Sequence, residues 1–272
     1  VTSAEAPPVD GARGGAVTPL RVLAGEWTKV AGLTSTAWLV AGTVVAAGSL
    51  VFVLGLFTGP GDAVSGTTPV TSGHLLAQLG VLVLGVLVGS ADFATGTSLT
   101  TYAAVPRRVP VLAAQVLVTA AVALGTGTLA LAASVLATAG ARRAAGPASA
   151  LPAPVDLRVA VGYVLFLTGA AVCGVLLGSL LRRPLAALAT AVVLFVLLDQ
   201  VLAANPGHVT GTVRALLPSS GTRLFADGER LAALAAGGGP DLGAGGGGLV
   251  LGAWCTVLAV LAGHRLVRRD VL

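Results

Sequence analysis

The chain is 272 residues long, 55% hydrophobic and only 10% charged, with a mean hydropathy of +0.93. A soluble domain carries about 25% charged residues. This depletion, together with uncharged stretches long enough to cross a bilayer, excludes a soluble globular protein and predicts an all-α polytopic membrane protein. The formal charge of +5 gathers at the ends of apolar runs, which assigns it to membrane topology and not to nucleic acid.

Residues 1–18 are polar and contain Pro and Gly, without the charged-then-apolar order of a signal peptide, and read as a disordered cytoplasmic tail. Residues 19–272 read as one transmembrane domain. Its first element is a helix over 19–31, for which Thr18 can N-cap and Pro19 suits the first turn. Leu20, Leu23, Ala24, Trp27 and Val30 recur at helical spacing, with Arg21, Thr28 and Lys29 on the other face. An amphipathic helix of this kind lies in the membrane interface, with Trp27 at headgroup level.

Six spans follow, predicted at about 36–57, 74–91, 109–135, 159–181, 185–204 and 249–266. The first crosses about 30 Å without a charge. Gly59-Pro60-Gly61 and the polar stretch to Gly73 read as a loop. The third stays uncharged from Val109 to Ala141, longer than a bilayer requires, and projects beyond it. Arg182-Arg183-Pro184 forms a tight connection between spans four and five. The sixth has an alternative start near Leu242.

The segment 205–248 is polar. Within it Leu224–Ala236 reads as a short helix closed by Gly237, and the clusters Gly237–Gly239 and Gly245–Gly248 read as flexible linker. Asp199 falls about 21 Å along span five, in its outer third. An acid in a span is a functional candidate, and the position favours a helix-end carboxylate over a proton carrier.

Arginine sets the expected orientation. With the N-terminus inside, ten of the 16 Lys and Arg face the cytoplasm: Arg13, Arg21, Lys29, Arg107, Arg108, Arg182, Arg183, Arg265, Arg268 and Arg269. Six face outward: Arg142, Arg143, Arg158, Arg214, Arg223 and Arg230. This bias predicts both termini in the cytoplasm.

Between spans two and three the chain reads Gly89-Ser90-Ala91-Asp92-Phe93-Ala94-Thr95-Gly96-Thr97, then Tyr102, and then Pro106-Arg107-Arg108. This resembles the loop after the second span in permease subunits of ABC-2-type transporters. The family pattern there is Glu, aromatic, Arg, Thr-Gly-Thr, followed by Pro and basic residues. Asp92 stands for the usual acid and Ala94 for the usual Arg. Glu26-Trp27-Thr28-Lys29 is similar to the acid–aromatic–x–Lys signature that opens many such permeases. Leu216-Leu217-Pro218-Ser219-Ser220-Gly221 resembles the Leu-Pro-Ser stretch after span five, which in the family belongs to a small extracellular re-entrant or helical element; a plain surface loop is the alternative.

The resemblance implies a permease of an exporter in the plasma membrane, working as a homodimer or with a paired permease subunit and driven by a separate cytoplasmic ABC ATPase. It also implies that Asp92, Phe93, Thr95, Gly96, Thr97, Tyr102, Arg107 and Arg108 couple to that ATPase, and that Glu26, Trp27 and Lys29 mark the interfacial helix. The mechanism it carries is alternating access. ATP hydrolysis is expected on the other chain, because the sole Lys, Lys29, stands in no Gly-x4-Gly-Lys-Ser/Thr loop.

No cofactor, metal site or catalytic set is expected. His74, His208 and His264 are scattered, and Cys173 and Cys255 sit in apolar runs, where Cys acts as a small hydrophobe. The alternative function is a secondary transporter or channel working alone, which calls for paired ionisable groups near mid-membrane or broken helices with matched repeats. The sequence shows neither.

Overall fold

The computed structural model describes residues 18–57, 68–94, 108–145 and 155–268, and no strand occurs among them. Six helices are long and apolar enough to cross a membrane, as expected of an all-α polytopic protein. A leading helix, Pro19–Gly32, precedes span one, Thr34–Phe57. Span two is His74–Ala94, span three Arg108–Ala145 and span four Leu157–Leu181. Span five runs from Pro184 to Ala203, interrupted by one π turn at Val193–Leu197. Span six is Gly243–Arg268.

Most boundaries fall within two residues of those expected from sequence. Span three reaches Ala145. Thr68–Thr71 forms a short helix where a loop was expected. Thr18 occupies the N-cap position, but its side chain makes no capping bond. The larger correction is at span six. Gly245–Gly248 belong to its first turns and are not a linker, because they pack against the segment before them. A Cβ on Gly248 would lie 2.7 Å from Leu224, and one on Gly247 2.8 Å from the Arg223 side chain.

Span four is the axis of the bundle. In its apolar stretch 61% of residues are buried within the chain, against 17% in spans five and six. Its closest neighbour is span two, and glycine explains the approach. Gly85 and Gly89 of span two face Gly174 and Gly178 of span four, a small residue every fourth position on both helices. A Cβ on Gly174 would lie 2.9 Å from the Leu82 carbonyl oxygen, and one on Gly178 2.8 Å from that of Val86. Cβ atoms on Gly85 and Gly89 would collide with the carbonyls of Ala171 and Val175. In a bilayer, where burying apolar surface between helices gains little, such backbone contact is what holds two helices together.

Spans four and six also touch at mid-length, where the sulfurs of Cys173 and Cys255, both free thiols, lie 3.4 Å apart. At one end the Arg265 guanidinium of span six donates to the Leu180 carbonyl of span four. The turn to span five is made by Arg182 in the left-handed region, φ 57°, with its N–H bonded to Gly178 O at 2.9 Å.

Between spans five and six the chain forms helix His208–Leu216, a 3-10 helix over Pro218–Phe225, and helix Gly228–Ala236. The expected single helix over Leu224–Ala236 is split. The break lies at Ala226 and Asp227, and Asp227 caps the second helix by accepting from the Arg230 N–H at 2.9 Å. The 3-10 helix is no surface loop. Pro218, Ser219, Ser220, Gly221, Arg223 and Phe225 are buried, and Phe225 is ringed by His74, Tyr163 and Phe166 with centroids 5.4–5.6 Å away.

Gly85→Ala and Gly174→Ala should each destabilise the detergent-solubilised chain by about 1–3 kcal/mol, the usual consequence of overfilling a tight contact. Gly125→Ala, in span three with nothing within 4 Å of a new Cβ, should be neutral or gain up to about 1 kcal/mol of helix propensity. Thermal unfolding followed by circular dichroism separates the two classes. Equal melting temperatures for all three variants would deny the interlock.

Candidate functional site

The two ends of the bundle carry different chemistry. At one end the leading helix docks where span two ends and spans three and five begin. Glu26 and Val30, one turn apart, face the bundle and are buried. Trp27 points away from the bundle and is 49% exposed, while Glu26, not singled out for burial in the sequence, turns inward. Glu26 is held by Lys29, whose Nζ donates to Oε1 at 2.7 Å. Together they rim a cavity of about 250 Å³ with otherwise mostly apolar walls, including Leu39, Leu84, Leu87 and Pro184.

The segment expected to couple to a partner leaves from this same end. Asp92 and Phe93 lie in the last helical turn of span two, and Arg108 opens span three. Thr95, Gly96, Thr97, Tyr102 and Arg107 fall outside the described residues.

At the opposite end is a polar cavity of about 340 Å³. Span two contributes His74 and Gln78, span five Asp199 and Gln200, and the segment between spans five and six Arg214, Ser219, Thr222 and Arg230. Asp199 does end its helix, as expected, but it is not simply solvated. Arg214 grips the carboxylate with two prongs, Nε to Oδ1 at 2.9 Å and Nη2 to Oδ2 at 3.1 Å. Ser219 donates to Oδ1 at 3.2 Å.

This carboxylate therefore ties span five to both the helix and the 3-10 turn that follow it. Span five is itself broken by the π turn, inside which the Phe195 carbonyl accepts from Gln78 Nε2 of span two at 3.2 Å. π turns of this kind recur at functional sites.

His74 completes the wall. Its Nδ1 stands 2.9 Å from the Thr71 carbonyl, which can only accept, so Nδ1 carries the proton and Nε2 is an acceptor in the neutral ring. Arg158 of span four holds the end of the 3-10 helix, donating to the carbonyls of Ala226 at 2.8 Å and Leu224 at 3.3 Å. Trp254 of span six donates to the Leu216 carbonyl at 2.8 Å.

Three guanidiniums converge on this end. Burial pushes Arg230 below the usual arginine range, opposed by Asp227 and Asp199 and reinforced by Arg214. Burial also lowers Arg223, and Arg214 adds to the effect. Both remain cations at neutral pH, since arginine starts so high. Among the described residues no group of three or more His, Cys, Asp or Glu could hold a metal ion. The geometry joins spans two and five through a hydrogen bond beside a polar cavity.

No family model and no curated protein matches the chain.

Sequence reasoning singled out Asp199 but not its partner. Asp199 and Arg214 stand 15 residues apart across a helix break, and no periodicity connects them. The pair stands at the end of the bundle, away from the mid-membrane position that a secondary transporter calls for. Gln78 carried one signal, a lone amide inside an otherwise apolar span.

Asp199→Asn should lower stability by about 1–3 kcal/mol, the range for a charged hydrogen bond that leaves a partly buried partner unpaired. Arg214→Gln should do much the same. In the double variant the two losses should not add, with a coupling of about 1 kcal/mol or more. Full additivity in thermal or denaturant unfolding would show that the pair contributes nothing.

Proposed function

We propose that the chain is the transmembrane permease subunit of an ATP-driven ABC-2-type exporter. It works as a dimer, or with a paired permease subunit, in the plasma membrane, and a separate cytoplasmic ATPase drives it. One observation carries the reading: the leading helix docks at the bundle end from which the 92–108 segment departs, so both resembling motifs share one face. Span six ends on that side too, through Arg265 on Leu180.

With that end in the cytoplasm, as the arginine bias requires, the packed 3-10 element lies outside, where the family resemblance calls for it. A push on the 92–108 segment reaches span two directly, and span two is joined to span four through glycine backbone contact. The cavity at the far end, bridged by Gln78 and Phe195, is then where such a movement is felt.

The reading of a secondary transporter working alone gains one observation, the partnered Asp199 beside a broken helix. The pair lies at the end of the bundle, though, and a carboxylate gripped by two prongs and a hydroxyl is built to stay in place.

Partner association tests the proposal. Phe93→Ala should weaken capture of the ATPase by the solubilised permease about thirtyfold, corresponding to about 2 kcal/mol for a lost aromatic anchor. Arg107→Ala should weaken it only slightly, as a solvated rim charge does. Replacing 92–101 by Gly and Ser should abolish it while membrane insertion continues. Undiminished capture after that replacement would refute the coupling role.

A further inference from the structure

The polar cavity between spans two and five has a charge imbalance that its own ion pair does not remove. Arg214 and Arg230 both line it, against one carboxylate, Asp199, which is already taken by Arg214. Two further acids lie close by, Asp227 acting on Arg230 and Asp241 on Arg223, but neither lines the cavity, and each accepts from a backbone N–H at a helix start. Within the 3-10 helix, Arg223 is 4% exposed, its Nη1 has no hydrogen-bond partner, and it feels Arg214, Asp241 and Asp199. Apart from Ser72, the remaining walls are apolar, formed by Leu50, Leu75, Phe195, Val196 and Leu234. A cavity of about 340 Å³ is in the range that ligands occupy.

We infer that this cavity is a binding site for an amphipathic anion, a phosphate or carboxylate attached to an apolar body. The anionic group lies against the Arg230 guanidinium and the Nη1 edge of Arg214 that Asp199 leaves unused. The apolar body lies along Leu50 and Leu75 of spans one and two. Planar guanidiniums with several fixed donors suit phosphate and carboxylate better than an ammonium would. The lining places the same contacts within reach of a membrane lipid headgroup or of a soluble amphipath. As a station on an export path the site rests on the proposed transport role. As a binding site it does not, and it is measured on this chain alone.

Isothermal titration of the full chain in maltoside micelles tests it, with dihexanoyl phosphatidate, inorganic phosphate and neutral dihexanoylglycerol as probes. Phosphatidate should bind and dihexanoylglycerol should not. Arg230→Gln should weaken phosphatidate by about tenfold or more. Arg230→Lys, which keeps the charge but not the planar fork, should bind more tightly than Arg230→Gln and less tightly than the unaltered chain, which guards against misfolding as the cause. Arg143→Gln, an exposed residue of span three, should change nothing. Inorganic phosphate should bind more weakly than phosphatidate, with the same dependence on Arg230; phosphate bound as tightly would deny the apolar body a role and overturn the amphipathic inference. Dihexanoylglycerol matching phosphatidate, no binding of either anion, or full affinity in Arg230→Gln would overturn the inference.

Discussion

Spans two and four meet backbone to backbone, and the rest of the molecule is arranged around that contact. Gly85 and Gly89 lie against Gly174 and Gly178, and the carbonyls of Leu82, Val86, Ala171 and Val175 fill the space where side chains would stand. A bilayer gives no hydrophobic reward for bringing two apolar helices together, so dispersion at short range has to supply the attraction. Only glycine permits the range. With the pair set, span four becomes the axis, and spans one, five and six keep large apolar surfaces such as Trp38, Leu185 and Leu249 facing away from it.

The interlock also joins two ends with opposite character. At one, the leading helix seats Glu26 and Lys29 over a mostly apolar cavity, beside the turns that carry Asp92 and Arg108. At the other, the 3-10 helix is pulled into the bundle by Phe225 among three rings and by Arg158 on two carbonyls. Span two contributes to both ends. Its last turns meet the leading helix, and its first turns supply His74 and Gln78 to the polar cavity. A displacement of span two is therefore presented directly to the π turn of span five, where a helix is already departing from regular geometry.

Much of this was legible in the sequence because membranes impose coarse rules. Charge-free lengths gave six spans, and Arg182-Arg183-Pro184 gave the tight turn. The Leu-Pro-Ser stretch gave a structured element between spans five and six, although only packing shows that Phe225 anchors it. The glycine interlock had a written signal, Gly85-x-x-x-Gly89 and Gly174-x-x-x-Gly178, which composition alone hides among 38 glycines.

Other features were half-legible or hidden. Gly245–Gly248 looks like linker because local propensity favours that reading, but of the two starts open to span six the one near Leu242 holds, with Gly247 against Ser220 and Arg223 and Gly248 against Leu224. The docking face of the leading helix had no signal, because a buried Glu26 beside Lys29 stands outside the apolar periodicity that marks Trp27. The Asp199–Arg214 bond depends on a chain reversal that no pattern in either helix encodes.

The account stands on which end faces the cytoplasm, and labelling in intact cells measures that most directly. In a background of Cys173→Ala and Cys255→Ala, single cysteines at Gly238 and Ala104 are exposed to a membrane-impermeant thiol reagent. Gly238→Cys, beside the polar cavity, should label from outside, and Ala104→Cys should label only after the membrane is opened. Outside labelling at Ala104 would place the 92–108 segment away from any cytoplasmic ATPase and contradict the account.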